Sequence, residues 1–542
     1  MSSARRPCLS LVVLAVVFLA LNTSPVLRAQ TYTDLHDFDC TVEGCQPTYP
    51  ALLAQGRDGN LYGTADAGGA SGMGTVFKIT PTGSITTLYN FSGADGWNPD
   101  GGLVLGTDGN FYGTTTRGGA NGDGTVFKIT PAGVLTTLHS FTDADANPRG
   151  GVVLGKNGSF YGTTCSQFGP WTGFSITSAG KFKHLTNSIP PCSFSGLILG
   201  NDGNLYGASQ AGGACCGTVF RMTAAGKVKI IYNFDITHGH TPYSPVVQAN
   251  DGLLYGTTSG GGSGQGGVVF KMTTGGKITL LRQFAAGGTT DGSTPYAGLV
   301  AATDGNFYGA TSGGENFGSV PDGDLFRITS SGDYSIQFVF DDTHGALAEA
   351  TPMQHTNGKI YGVTERGGPH IGEQGVVYSL DNNLPTFVYL VTRWGSAGQT
   401  VEILGNGLTG TSSVTFGSGS ASFNVVSDTY MTATVPDDGS AGLVTVTTPS
   451  ATLTSNRSFF VTPVVSGIAP SSGPVGSQVT ITGSGFVGTI AVKFGGVKAT
   501  SFTVNSGTSI TATVPAGAKT GKVSVTTAGG NASSKGSYTV TP

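Results

Sequence analysis

Short apolar runs of about four to six residues, broken by Gly, Pro, Asp or Asn, recur along residues 31–384. In one copy they are Gly102–Leu105, Phe111–Thr114, Thr125–Thr130 and Leu135–Phe141. Asp108-Gly109-Asn110, a loop at Arg117–Ala120 and Pro131-Ala132-Gly133 separate them. Runs bounded by such turn chemistry predict strands, and Asp-Gly favours a tight hairpin because both residues tolerate positive φ. Leu103-Val104-Leu105 and Val126-Phe127-Lys128-Ile129 are apolar on both faces, which suits strands buried between two layers. No stretch keeps a helical period, so the pattern is all-β.

The four-strand unit returns seven times, marked by a Tyr-Gly signature at Tyr62, Tyr112, Tyr161, Tyr206, Tyr255, Tyr308 and Tyr361. The steps are 50, 49, 45, 49, 53 and 53 residues, the size of one propeller blade. This predicts a seven-bladed β-propeller over residues 30–384. The seventh copy lacks an outer strand, and Tyr32–Phe38 matches the outer strand Ile85–Phe91. The N-terminal segment is therefore expected to complete the last blade, closing the ring and hiding its edges.

The pattern changes near Leu384-Pro385. Thr432–Pro436 returns as Thr511–Pro515, and Val461-Thr462-Pro463 as Val540-Thr541-Pro542, both 79 residues on. Short alternating strands with Gly/Pro turns at that length predict two immunoglobulin-like sandwiches, 385–463 and 464–542, without a central disulfide. Gly405–Gly410 and Gly483–Gly488 fit GxGxxG, but each leads into strand-like sequence rather than a helix, so both read as strand-end turns.

Repeats of the form Asp-Gly-Asn-Phe-Tyr-Gly-Thr, Gly-Thr-Val-Phe-Lys-Ile-Thr and Thr-Thr-Leu-Tyr-Asn-Phe resemble the bacterial extracellular tandem repeat called GloVer, over about residues 31–384. That resemblance implies a propeller protein of the cell exterior and no particular activity. Ile468–Gly476 with Val479–Phe486 is similar to IPT/TIG domains. The first unit departs at Val391–Gly395, where the Pro-Ser-Ser-Gly opening is replaced. Such domains imply extracellular spacers or binding modules.

Composition narrows the partners. Charged residues are 11% of the chain and the formal net charge is −4, with no basic patch, which excludes an electrostatic footprint for nucleic acid. Arg5-Arg6, an apolar run from Leu9 to Leu21 and a small-residue exit near Ala29 read as a signal peptide, 1–29. An uncleaved anchor is the alternative, because Leu27 makes the exit imperfect. The mature chain then has no transmembrane segment, and its location is extracellular or at the cell surface. Six cysteines follow the leader, and Cys40–Cys45 and Cys165–Cys192 are the preferred bridges in an oxidising compartment.

No residue set forms a known catalytic motif, and no cofactor or metal is implied. The Asp58, Asp108, Asp202, Asp251 and Asp304 series reads as turn residues rather than calcium ligands. The basic series Lys78, Lys128, Arg221, Lys271 and Arg327 reads as solvated side chains over sheet surfaces rather than a glycan-binding ring. His238 and His240, near His344, lack a carboxylate cluster to complete a metal site, and only His355 offers a ligand on a channel-lining strand. Trp97, Trp171, Tyr243 and Tyr296 lie in loops of one expected face and can stack on sugar rings or a partner's side chains. The sequence thus favours a non-catalytic protein that binds an extracellular glycan or a surface protein. The rivals are a polysaccharide hydrolase or lyase using Asp143 or Asp145 with Asp100, and a purely structural wall component.

Overall fold

A computed structural model describes residues 30–47, 53–166, 171–191, 195–212, 216–287, 292–313, 323–368 and 374–542. The expected leader, 1–29, lies outside them. Among the described residues there is no α-helix, and seven four-stranded antiparallel sheets precede the C-terminal region. In the second sheet the strands are Val104–Leu105, Phe111–Thr115, Thr125–Ile129 and Leu135–Ser140, paired in chain order. Strands A to D below denote these positions in any sheet.

The repeated residues explain the repeated sheet. Asp108 accepts the amide of Asn110 at 3.2 Å and the hydroxyl of Tyr112 at 2.7 Å, so the A–B turn and strand B are tied by one carboxylate. Asp58, Asp202, Asp251 and Asp304 do the same for Tyr62, Tyr206, Tyr255 and Tyr308. In the third and seventh copies an asparagine stands in its place, and the amide of Asn157 or Asn357 donates to the tyrosine. These tyrosines also stack on the next sheet, Tyr62 on Phe111 at 4.0 Å and Tyr112 on Phe160 at 3.9 Å between ring centroids. The glycine after the tyrosine is forced by close approach: a Cβ on Gly113 would meet the ring of Phe127 at 2.6 Å.

The chain ends of this array meet. Thr31–Asp37 pairs antiparallel with Val376–Asp381, from Thr31 opposite Asp381 to Asp37 opposite Val376. Phe38 then meets Phe77 edge-on at 5.3 Å, the same contact that Phe91 makes with Phe127 one sheet on. On the inner strands, Gln354 holds the turn at Thr303 in the preceding sheet, and Gln55 holds Thr356 of the seventh sheet in the same way. First and last sheets are thus neighbours through the contacts that join consecutive ones.

Beyond residue 388 the strands form two stacked-sheet units. The first pairs Tyr389–Leu390, Thr400–Leu404, Tyr430–Thr434 and Phe423–Ser427 in one sheet, facing a sheet built on Ser413–Phe416 and Val444–Thr447. The second repeats this with Val464–Ala469, Gln478–Ser484 and Ser509–Thr513. Each encloses its own apolar core, around Phe416 and Phe459 in one and Phe494 and Tyr538 in the other. Both GxGxxG stretches begin where a strand ends, at Leu404 and Ser484. The first unit sits on the A–B turns of the sheet array. Arg57 forks onto Glu402 at 2.6 and 3.3 Å and lies 4.8 Å from the Tyr430 ring, and Thr429 donates to the Arg57 carbonyl.

Candidate functional site

The loops entering strand A share one backbone device. Gln46, Asn98, Asn147, Thr241, Thr294 and Leu347 all have positive φ, between 53 and 61°. A proline follows each except Leu347, which precedes Ala348. The carbonyl of each accepts the amide of the residue just beyond strand B: Asp66, Thr116, Cys165, Ser259, Ser312 or Glu365. Non-glycine residues adopt this conformation only when the surroundings over-determine it, and the hydrogen bond common to all six does so here. Two sets of side chains are thereby held at one end of the sheets. One set follows the proline or Ala348: Asp100, Arg149, Tyr243, Tyr296 and Glu349. The other follows strand B.

Their electrostatics show that the two sets converge. Asp100 is pushed well above the usual carboxylate range, first by desolvation and then by Asp66, with which it shares a hydrogen bond. Thr116 donates to Asp100 at 2.7 Å, and Arg149 opposes the upward shift. Glu349 is pushed up to about 8 by burial and then by Glu365, to which it is hydrogen-bonded. Burial also raises Glu365, with Arg366 opposing and Asp66 adding. Two carboxyls in contact cannot both ionise, so each pair holds a proton. The tyrosines complete the rim: Tyr243 and Tyr296 lie 4.6 Å apart with rings tilted by 59°, and Tyr243 is raised by burial and then by Glu349.

At neutral pH this mouth carries less charge than its four acids suggest. Glu349, held up to about 8, keeps a proton there and can donate as well as accept a hydrogen bond near the phenol of Tyr243, while burial and Asp66 push Asp100 in the same direction. That combination fits a polyhydroxylated ligand with an apolar face.

The structure unites Tyr243 with Tyr296 but not the two tryptophans with them. Trp97 is 37% exposed and lies under the Arg117 guanidinium at 5.4 Å. Trp171 packs against the core containing Ile189 and Leu197. Asp100 pairs with Asp66 rather than with Asp143 or Asp145, and Asp143 is instead hydrogen-bonded to Asp123. His355 is not open to a channel: it is fully buried, its Nε2 bonds the Gly59 carbonyl at 2.9 Å and its Nδ1 accepts the Asn357 amide, tying the last sheet to the first. His238 and His344 are each held by an aspartate of their own loop, Asp235 and Asp341. Of the basic series, Arg327 stands 3.6 Å from Asp304 and Lys271 donates to the Ser330 carbonyl. Cys40–Cys45 is a disulfide with a Cα–Cα distance of 4.7 Å. Cys165 is a buried thiol, which disagrees with the expected Cys165–Cys192 bridge; Cys192 lies outside the described residues, and Cys216 is disulfide-bonded. Asp66, Glu349 and Glu365 were not singled out by sequence. The signal for Glu349 was its place two residues after Leu347, in register with Asp100 after Asn98-Pro99.

Comparison with known proteins follows these boundaries only in part. Residues 24–188 and 193–425 match the model of the Gloeobacter/Verrucomicrobia repeat, which runs past residue 384 into the first C-terminal unit. Residues 463–541 match the IPT/TIG domain. No curated protein matches the chain. Among solved structures, a streptogramin B lyase is similar at 16% identity and TM-score 0.45, covering 65% of this chain and 97% of that one. A virginiamycin B lyase from Staphylococcus aureus is similar at 17% and 0.44, covering 65% and 99%. A surface glycan-binding protein from Prevotella bryantii is similar at 21% and 0.21, covering 28% and 41%.

Proposed function

The chain belongs to the Gloeobacter/Verrucomicrobia repeat family, and on that premise we propose that it is a secreted or cell-surface binding protein for an extracellular glycan. Its seven sheets make a closed seven-bladed β-propeller over residues 30–384, the first C-terminal unit (385–463) is a second IPT/TIG-like sandwich beside the one at 464–542, and ligand enters at the rim of Tyr243, Tyr296, Asp100 and Glu349. The observation that carries this reading is the tyrosine pair next to a protonated carboxyl. Sugars present an apolar ring face and a girdle of hydroxyls, and this rim offers aromatic faces and neutral donor–acceptor groups without the penalty of desolvating a charge. Trp97, on the same loop as Asp100, adds an outer contact. Isothermal titration of the mature chain against glycans selected on an array tests this. Tyr243→Ala/Tyr296→Ala is expected to weaken binding roughly tenfold or more, the loss of about 1.5 kcal/mol or more in aromatic contact. Binding unchanged in that variant would remove the rim from the site.

A second reading rests on the Glu349–Glu365 pair, in which one acid keeps its proton beside a partner able to accept one, the elements of general acid–base cleavage of a polysaccharide. Appearance of reducing ends or unsaturated sugars, abolished in Glu349→Gln, would establish it over simple binding.

A further inference from the structure

The opposite end of the sheet array, under the first C-terminal unit, carries Arg393 and Arg457 in addition to the Arg57–Glu402 pair, and among the described residues neither of these two has a paired carboxylate. Arg393 is anchored: it donates to Asn201 Oδ1 at 2.8 Å and to the Leu199 carbonyl at 2.9 Å, and its guanidinium lies 4.8 Å from the Trp394 ring. Arg457, in the loop between Thr452–Thr454 and Phe460–Val461, is different. Its guanidinium is part-buried, and among the described residues it has no hydrogen-bond or ion-pair partner. Its backbone is pinned, because Ser455 Oγ donates to the Arg457 carbonyl at 2.7 Å and accepts the Val444 amide at 2.9 Å. The loop backbone is thereby fixed beside a side chain that pairs with no carboxylate among the described residues.

What lies opposite is a cavity of about 190 Å³ between this loop and the fifth and sixth sheets, lined by Arg457, Asn456, Asn250, Asp251, Gln248 and Ser330. That is several times the ~30 Å³ share of a water molecule in the liquid. Asn250 donates to the Asn456 carbonyl at 3.1 Å, so the two walls are joined at the rim. Asp251 is turned elsewhere, accepting the Leu253 amide at 2.9 Å and the Tyr255 hydroxyl at 2.6 Å. Gln248 is spent on the Asn201 amide and the Gly252 carbonyl. Burial holds both arginines below their usual pKa, and Arg457 lowers Arg393 further. A guanidinium keeps its proton at neutral pH all the same, so two part-buried positive charges stand near one another here.

We propose that this cavity is an anion site in which the Arg457 fork binds a small oxyanion, a sulfate, phosphate or carboxylate group. A planar guanidinium with free N–H groups matches two oxygens of such a group, and a part-buried cation gains more from a counter-ion than one fully in water. The Asn456 side-chain amide, next in sequence and on the same wall, supplies a further donor. The site is independent of the rim of Tyr243 and Tyr296 and lies at the other end of the sheets.

The test is calorimetric titration and thermal melting of the mature chain with sodium sulfate, sodium phosphate and sodium glucuronate, each against sodium chloride at equal ionic strength. Sulfate and phosphate probe a tetrahedral anion; glucuronate probes a sugar carboxylate. At least one of the three is expected to bind saturably and raise the melting temperature above the chloride control. Arg457→Gln is expected to weaken that binding at least tenfold. Asn456→Asp, which sets a carboxylate on the cavity wall, is expected to do the same without lowering the melting temperature in chloride, and it decides the matter should Arg457→Gln fold poorly. No response beyond chloride to any of the three, or binding within twofold of wild type in Asn456→Asp, would overturn the proposal.

Discussion

Replacing Glu349 by glutamine should flatten the pH dependence of stability, and the size of the effect follows from the proton it holds. In the folded protein Glu349 stays protonated to about pH 8, against an ordinary value of 4.5. Between those values the folded state binds one more proton than the unfolded chain, so stability is lost as pH rises. One proton amounts to about 1.4 kcal/mol per pH unit. From pH 5.5 to 7.5 the ceiling is therefore about 3 kcal/mol, and sharing of the proton with Glu365 and partial solvent access reduce it to roughly half. For a body this large that is a fall of about 3 °C in melting temperature. Glutamine keeps the volume and can still donate to Glu365, but it does not titrate. Differential scanning calorimetry of both proteins at four pH values from 5.5 to 8.5 gives the result. The wild type should descend relative to Glu349→Gln as pH rises. Curves that run parallel would mean Glu349 is ionised in the folded protein, and the neutral rim would no longer exist.

Three further outcomes follow from the packing. Phe38→Ala removes the ring that meets Phe77 where the chain ends join and should cost about 3–5 kcal/mol, read as a lower midpoint in urea unfolding. Gly113→Ala sets a Cβ at 2.6 Å from the Phe127 ring and should cost about 1–3 kcal/mol, while the same change at Gly122, which has nothing within 4 Å, should cost only the strain of its positive φ. Arg57→Ala leaves Glu402 half-buried without its partner and should loosen the first C-terminal unit by about 2 kcal/mol, seen as faster proteolytic cleavage near residues 384–388.

Much of the fold was legible because the repeat expresses a geometric need at fixed spacing. Asp108-Gly109-Asn110 with Tyr112 is a single hydrogen-bonded turn, and every copy shows it or its asparagine form. The match of Tyr32–Phe38 to Ile85–Phe91 foretold the pairing with Val376–Asp381, since both segments present the same ring to the same neighbour. The candidate site was hidden for the opposite reason. Asp66, Asp100, Glu349 and Glu365 come from distant parts of the chain and occupy positions where the copies differ, so no motif links them. Trp97 and Trp171 drew attention as loop aromatics, but an indole in a loop finds local packing as readily as a ligand, and Arg117 and Ile189 supply it. The docking of the first C-terminal unit was likewise unreadable, because Arg57 and Glu402 are 345 residues apart and each is a singular residue.

The six loops that turn at a left-handed residue before strand A separate architecture from recognition. Asp100, Arg149, Tyr243, Tyr296 and Glu349 differ in size, polarity and charge, yet all ride on the same backbone frame. A gene library randomised at those five codons would vary the polarity and charge of this end of the sheets while leaving the tyrosine turns and ring stacks intact. Exchanges at Arg149, Tyr243 or Tyr296 would change the chemistry of this end of the sheets while the hydrogen-bonded frame persists, whereas Asp100 and Glu349 are tied to Asp66 and Glu365 and would have to change with them.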